Sequence, residues 1–362
     1  MTRRRVAVAA ATIAVLACLG GPARLSGLRS ADTLPSRLSD QEFWKLSVDA
    51  SETDGFFRSD NLLSNELGLQ YVIPELVRTA HAGAVYMGVG PEQNFTYIAA
   101  LKPKMAFIVD VRRGNLQLHL LYKALFELSP DRAAFVSRLF SRKRPDGLKT
   151  SSTASEIFTA YSKVEGSEAL YKENLKAVGD HLVKKHGFAL SAEDLEGIDY
   201  VYHSFFWYGP DIQYWSTGGR FGRGFRATYA DLMVATDMDG APRGFLADED
   251  RFAFLKDLES RNLLVPVVGN FAGPKAIRAV GAWVRAHGGI VSAFYLSNVE
   301  QYLSQEGTWS AFCGNVATLP LDGTSTFIRS VRTGYNGRGM GLTSELGNIS
   351  SEVKGCAAAA SR

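Results

Sequence analysis

The chain has 362 residues, of which 46% are hydrophobic and 21% charged, and its formal net charge is +3. These values are normal for a globular protein with one large domain or two ordinary ones. Three of the 40 basic residues lie at positions 3–5, in a predicted targeting segment, which leaves 37 to balance the 37 acidic residues. With this balance, the charge gives no general attraction for nucleic acid or for an anionic membrane.

The N-terminus has the pattern of an export signal. Basic residues at 3–5 precede an apolar run from 6 to 20 that only Thr12 interrupts. A run of about 15 apolar residues is short for a transmembrane helix and suits a signal peptide. We therefore expect residues 1–23 to be an export signal or a membrane anchor. The protein would then be exported to the periplasm or the cell envelope.

Two further interpretations of this segment remain open. The arginines are similar to those of a twin-arginine signal, and residues 15–18 are similar to a lipoprotein box. If cleavage follows Ala23, only Cys313 and Cys356 remain, and two cysteines do not make a disulfide framework. The sequence leaves open whether these two cysteines pair.

Residues 24–54 are predicted to be a linker with an amphipathic piece around Phe43. The polar cluster Ser59-Asp60-Asn61 follows, and its residue types are good N-caps for a helix running to about His81. The alternative is a lid over a ligand, because this segment leads directly into the first core strand. The sequence favours the two interpretations about equally.

The stretch from Ala84 to Asp110 predicts a strand, a tight turn, a helix and a second strand. The first apolar run ends in Gly88 and Gly90, which would let the backbone bend and a ligand approach the main chain. The helix over 92–101 would point its free N–H groups at that ligand. Asp110 ends the second run, where Rossmann-type sites place an acid for the ribose hydroxyls. An ordinary βαβ unit is the alternative, since a single Gly-x-Gly is a weak motif.

The middle of the chain is predicted to be mainly helical. Leucines at helical spacing predict a helix over 115–128, and residues 130–197 read as a helical cap inserted between the second and third core strands. The aromatic run 198–207 looks like a strand. The glycine-, aromatic- and arginine-rich loop at 209–226 is either a substrate-facing lid or a surface loop.

The second half returns to alternating strands and helices. Strands are predicted at 263–268, 290–296 and 324–331, with helices at 248–261, 274–287 and 309–319. Residues 336–362 are rich in glycine, serine and alanine and are predicted to be a flexible tail.

Glycines or polar residues follow four of the predicted strands, and a doubly wound sheet binds ligands at the carboxyl ends of its strands. These residues are Gly88 and Gly90, Asp110, Asn270, and Ser297 with Asn298. Their recurrence predicts a functional cleft.

At these four strand ends the chain resembles the class I S-adenosylmethionine-dependent methyltransferases. The resemblance implies a doubly wound, Rossmann-like α/β sheet in a single domain over residues 55–335. In that family the glycine loop passes the methionine part of the cofactor, and an acid at the second strand binds the ribose. The third strand ends beside the adenine, and the turn after the fourth faces the methyl acceptor. The segments 59–61, 268–274 and 297–303 also look like an uncharacterised bacterial family with this fold.

The resemblance therefore implies S-adenosyl-L-methionine as the cofactor and a small or medium-sized methyl acceptor. The residues expected to bind the cofactor are Gly88, Gly90, Asn94, Asp110 and Asn270. Asn61, Glu66 and Ser297 are expected to contact the substrate. Asn298 or Glu300 would orient or deprotonate the acceptor.

A second hypothesis is an exported, non-catalytic relative of this fold that binds another ligand or an envelope partner. Tyr86 stands where methyltransferases usually have an acid, and Glu92 replaces the third glycine of their loop. S-adenosylmethionine is also a cytoplasmic cofactor, whereas an export signal is expected at the N-terminus of this chain. A hydrolase or a metal site is not indicated, because no Gly-x-Ser-x-Gly elbow occurs and the six histidines are scattered.

Overall fold

The computed structural model describes residues 33–214, 216–217, 227–332 and 342–359. The export signal predicted at 1–23 and most of the loop predicted as a lid at 209–226 lie outside these residues, so both remain predictions. Among the described helices, none combines the length and the apolar character needed to span a bilayer.

The centre of the fold is a six-stranded sheet with the order β3-β2-β1-β4-β5-β6. The strands are β1 Val85–Gly88, β2 Met105–Asp110, β3 Leu264–Val268, β4 Val291–Ser297, β5 Thr326–Arg332 and β6 Leu342–Asn348. The first five are parallel, and β6 runs antiparallel to β5. The predicted α/β class is confirmed, and the strand order reverses between β1 and β4 as in Rossmann-like sheets.

Fourteen α-helices occur in the described part of the chain. They are α1 Asp40–Ala50, α2 Ile73–Thr79, α3 Gln93–Leu101, α4 Arg113–Leu128, α5 Arg132–Phe140, α6 Ala154–Tyr161, α7 Glu168–Asp180, α8 Ala192–Tyr208, α9 Tyr229–Val234, α10 Glu249–Ser260, α11 Ala276–Ala286, α12 Val299–Gln305, α13 Trp309–Val316 and α14 Ile349–Ala359. With this strand order, the general rule of right-handed crossovers puts α3 and α4 on one face of the sheet and α11 on the other.

The core explains why β1 to β4 read as apolar runs. Every residue of β1, β2 and β3 is buried, as expected for strands covered on both faces. Phe95 on α3 joins this core to the inserted helices through edge-to-face contacts with Tyr122, Phe126 and Phe245, with ring centroids 5.0–5.3 Å apart. Helices α5 to α10 lie between β2 and β3 in the chain, and this insertion shares one hydrophobic core with the sheet.

Helix α1 is the amphipathic piece expected around Phe43 within residues 24–54, and Phe43 is fully buried in the core. Two other predictions of local structure differ from the structure. The cluster 59–61 caps no helix, because the chain there is irregular and α2 begins only at Ile73. The aromatic run 198–207 belongs to α8. Its buried residues recur with helical spacing: Ile198, Val201, Tyr202 and Phe205.

The predicted flexible tail is also wrong over residues 342–359. Leu342–Asn348 pairs with the whole length of β5, and α14 follows it. The guanidinium of Arg329 on β5 donates to Glu352 on α14. The strand carries only two apolar residues, so its pairing with β5, rather than a hydrophobic pattern, defines it.

Gly88 is required by the packing of α3 on β1. A Cβ atom at Gly88 would lie 1.9 Å from Oδ1 of Asn94, whereas one at Gly114 in the first turn of α4 would meet nothing within 4 Å. We expect Gly88→Ala to lower the free energy of unfolding by about 1–3 kcal/mol. Gly114→Ala, the matched control, should raise it by about 0.4–1 kcal/mol. Urea unfolding would measure both, and equal effects would contradict this packing.

Candidate functional site

A cavity of about 390 Å³ lies beyond the carboxyl ends of the first four strands. Its volume is within the range of small-molecule sites, roughly 300–1,000 Å³. Most of the predicted site residues line this cavity. They are Asn61, Glu66, Gly90, Asp110, Asn270, Ser297 and Asn298. Gly88, Asn94 and Glu300 are not among the described residues that line it.

Residues 88–91 form the turn after β1, which we call the glycine turn, and Asn94 supports it from the side away from the cavity. Its Nδ2 donates to the carbonyl oxygens of Val89, Gly90 and Pro91 at 2.8–3.2 Å, and its Oδ1 accepts a hydrogen bond from the Tyr86 hydroxyl at 2.8 Å. Asn94 therefore positions the turn and does not face the cavity. Tyr86, found where methyltransferases usually carry an acid, has a structural role in the same network.

Gly90 is the part of the turn that reaches the cavity. Its φ of +77° lies in the left-handed region that favours glycine. Its carbonyl oxygen is 2.9 Å from Nε2 of His119 on α4. Burial lowers the pKa of His119 to about 4, so the ring is neutral at pH 7 and Nε2–H donates to Gly90. His119 therefore holds the turn in place through the Gly90 carbonyl oxygen.

Asp110 is buried and paired with Arg112. Oδ1 of Asp110 accepts from the backbone N–H and Nε of Arg112 at 2.9 and 3.0 Å, and Oδ2 accepts from a terminal guanidinium nitrogen at 2.9 Å. The guanidinium of Arg112 therefore contacts both carboxylate oxygens of the acid that was expected to bind ribose. Each carboxylate oxygen has two lone pairs, so Oδ1 is fully used and Oδ2 retains one lone pair that can accept from a ligand.

Arg112 also holds the segment 55–66 over the cavity. Its guanidinium donates to the carbonyl oxygens of Ser59 and Asp60. Tyr200 of the inserted helix α8 donates to Oδ2 of Asp60 at 2.7 Å. Of the two interpretations of the 59–61 cluster, the structure therefore agrees with a cover over the cavity. We call residues 55–66 the cover segment.

The cover segment brings two buried polar groups to the cavity. Asn61 has a left-handed backbone (φ 46°), and its Oδ1 is buried without a hydrogen bond from the described residues. Glu66 accepts hydrogen bonds at its Oε1 from the hydroxyls of Tyr295 and Ser297 on β4, at 2.8 and 2.6 Å. Its Oε2 has no partner of hydrogen-bonding geometry among the described residues.

No cationic side chain of the described residues pairs with Glu66. Burial raises its pKa, and the hydrogen bonds from Ser297 and Tyr295 offset this in part. Ser330 on β5 is near enough to contribute to the same lowering. An unpaired buried carboxyl group with one oxygen available is suited to bind a cation or a hydrogen-bond donor.

The third and fourth strands end in turns whose polar atoms are partly used within the protein. Oδ1 of Asn270 accepts from the N–H of Ala272 at 2.9 Å, so this exposed side chain stabilises its own turn at the cavity rim. Glu300 does not reach the cavity, because both of its oxygens accept hydrogen bonds from the Arg329 guanidinium. Asn298 remains the only residue of the predicted catalytic pair that lines the cavity.

Aromatic residues at the cavity mouth were not predicted as site residues. The ring of Phe57 packs edge-on against Tyr302 with centroids 5.2 Å apart, and Arg58 donates to the Tyr302 hydroxyl at 2.9 Å. Phe56 is 89% exposed, and Tyr214 from the insertion completes this wall. The run Phe56-Phe57-Arg58 beside the polar cluster was the available signal.

The chain belongs to a family described as a domain of unknown function (DUF7790), which it matches over residues 62–346. That span contains all the described strands of the sheet, apart from the end of β6, and the insertion. No curated protein matches the chain.

Glu92 is a second buried carboxyl group beside the cover segment. Its Oε1 accepts from the Ser64 N–H at 3.0 Å, and its Oε2 has no partner among the described residues. Burial raises the pKa of Glu92 to about 8, and the neighbouring Glu66 adds to the effect. The folded protein therefore binds a proton at Glu92 more tightly than the unfolded chain, whose glutamates titrate near 4.5.

This shift predicts that wild-type stability falls as the pH rises from about 4.5 to about 8. Glu92→Gln keeps the acceptor for Ser64 but cannot ionise. Relative to wild type, its free energy of unfolding should rise between pH 5 and pH 9 by more than about 1.4 kcal/mol. Glu173→Gln, at an exposed position on α7, is the control. Parallel pH profiles for Glu92→Gln and wild type, from urea unfolding, would contradict the prediction.

Proposed function

We propose that the cavity of this family member binds S-adenosyl-L-methionine. We further propose that the protein transfers its methyl group to an acceptor not yet identified. The observation that carries the proposal is the convergence of four strand ends on one cavity where the strand order reverses. Open α/β sheets bind their ligands at this position.

The adenosine half is assigned to the β1–β2–β3 side of the cavity. Gly90 offers a stretch of backbone with no side chain in the way of a flat ligand, and Pro91 lines the cavity next to it. Asp110, oriented by Arg112, would accept from a ribose hydroxyl through the remaining lone pair of its Oδ2. The rim residue Asn270 lies at the end of β3, where the resemblance places the adenine.

The methionine half carries two cationic groups, a sulfonium and an α-ammonium. Glu66 is the side chain best suited to them, because its Oε2 is buried at the cavity and unpaired within the described residues. Burial disfavours the ionised form of Glu66 and so raises its pKa. A cation bound beside Oε2 would offset this cost by a favourable charge interaction. The aromatic wall of Phe57 and Tyr302 offers a second, weaker interaction with positive charge.

Transfer itself would rest on proximity and alignment of the donor and the acceptor. Asn298 lies at the mouth and could orient an acceptor by hydrogen bonding. Glu300 is not assigned a role, since Arg329 holds its carboxylate. The exposed Phe56 favours an acceptor with an apolar part.

A specific observation favours the alternative of a non-catalytic binding protein. The acid expected to bind ribose is already clamped by Arg112, and Cys313 on α13 is disulfide-bonded, which suits an oxidising compartment. The expected export signal agrees with this location. Mass spectrometry of protein purified from its own envelope fraction would discriminate, because a bound S-adenosyl compound would count against the alternative.

Isothermal titration with S-adenosyl-L-methionine tests the proposal. Glu66→Gln keeps the acceptor for Tyr295 and Ser297 but replaces the anionic oxygen with an amide. We expect its dissociation constant to rise about tenfold or more, equivalent to about 1.4 kcal/mol. Wild-type affinity should also increase with pH as Glu66 ionises, and this dependence should weaken in Glu66→Gln.

The matched control is Glu306→Gln, which changes an exposed carboxylate at the same cavity and should shift the affinity little. The absence of any binding by wild type at millimolar ligand would rule out the cofactor. Unchanged affinity in Glu66→Gln would rule out its assigned role.

A further inference from the structure

A second cluster of functional side chains lies at the other end of α4 from the cavity. Arg113 begins this helix beside Asp110, and Glu127 is 14 residues further on, about 21 Å along the axis. Oε2 of Glu127 lies 2.9 Å from Nε2 of His181 and 3.0 Å from Nε2 of His186. The sequence did not indicate a metal site because its histidines looked scattered.

A local distortion of the helix brings the two histidines together. Five residues apart on a regular α-helix, side chains point about 140° away from each other. Residues His181–Lys185 form a π-helical turn, in which the N–H of His186 donates to the carbonyl oxygen of His181 at 3.1 Å. This i to i+5 pairing stacks the two residues on one face, and π-turns often occur at functional sites.

The outer contacts orient His186 as in known metal sites. Its Nδ1 is 2.7 Å from Oδ1 of Asp40 on α1, so Nδ1–H donates to a carboxylate and Nε2 points to the cluster. Carboxylate–histidine–metal arrangements use this contact to fix the ring and its tautomer.

We propose that Glu127, His181 and His186 bind a divalent transition-metal ion, with Zn²⁺ as the best match. The three donor atoms lie within 4.8 Å of one another, and two imidazole nitrogens with one carboxylate oxygen are a known zinc ligand set. Bonds of roughly 2.1 Å require only small shifts of these side chains. The fourth position would hold water.

Two lysines lie beside Glu127, and one of them competes with the metal. Lys123 is buried on α4, and its Nζ lies 2.8 Å from Oε1 of Glu127. The two histidines contact the other oxygen, Oε2. Lys185 lies 2.9 Å from Oε2, in the position that the ion would take, but its side chain is 58% exposed and can move into solvent. The metal would therefore displace Lys185 and leave Lys123 in place.

Titration of the purified protein with Zn²⁺ alone tests this site. We expect one ion per chain, and thermal unfolding should shift upward with the metal. Asp40→Asn, which leaves the three ligands intact, should weaken binding by about 10–100-fold. His181→Gln should weaken it further. His81→Gln, at an exposed histidine outside the cluster, is the control and should leave the affinity unchanged.

Lys185→Ala distinguishes the metal site from an ion-pair cluster that merely holds the helices together. It removes the competing ammonium at an exposed position, so a metal site predicts tighter Zn²⁺ binding and a larger thermal shift. An ion-pair cluster predicts no Zn²⁺ binding in either protein. Absence of binding by wild type and Lys185→Ala, or unchanged affinity in folded His181→Gln, would overturn the proposal.

Discussion

The cavity depends on the reversal of strand order between β1 and β4. The chain leaves β1 toward one face of the sheet and enters β4 from a helix on the other face, so neither crossover covers the gap between their carboxyl ends. Backbone groups at these ends would otherwise be buried by packed helices. The glycine turn, Asp110, and Ser297 reach a common space because of this gap.

The cover segment makes that space a cavity instead of an open groove. It has little regular structure of its own, and side chains from other elements hold it. Arg112 from the end of β2 binds its backbone, Tyr200 of the insertion binds Asp60, and β4 hydroxyls bind Glu66. The helical insertion and the sheet therefore both contribute to the site, although they are distant in sequence.

Buried carboxyl groups occur in two different electrostatic settings. Glu66 and Glu92 lie near the cavity with no cationic partner in the described part of the chain, and burial raises the pKa of each. Burial acts on Glu127 too, but hydrogen bonds from two histidines and the charge of Lys123 outweigh it and lower its pKa. The first setting suits the binding of a cationic ligand. The second favours the ionised form of Glu127, which is the form that binds a metal ion, so the two proposals concern chemically distinct sites.

The sequence by itself determined the α/β class, the βαβ unit from Val85 to Asp110 and the polar residues at four strand ends. Apolar runs, glycines and helical spacing are local properties, and parallel strands must end at a common edge. Only the tertiary structure decided which side chains face the cavity. Asn94 turned inward to hold three carbonyls, Glu300 turned to Arg329, and β6 formed by pairing with β5. The His181–His186 pair needed a π-turn and a glutamate from another helix, and contacts of that kind leave no periodic signal in a sequence.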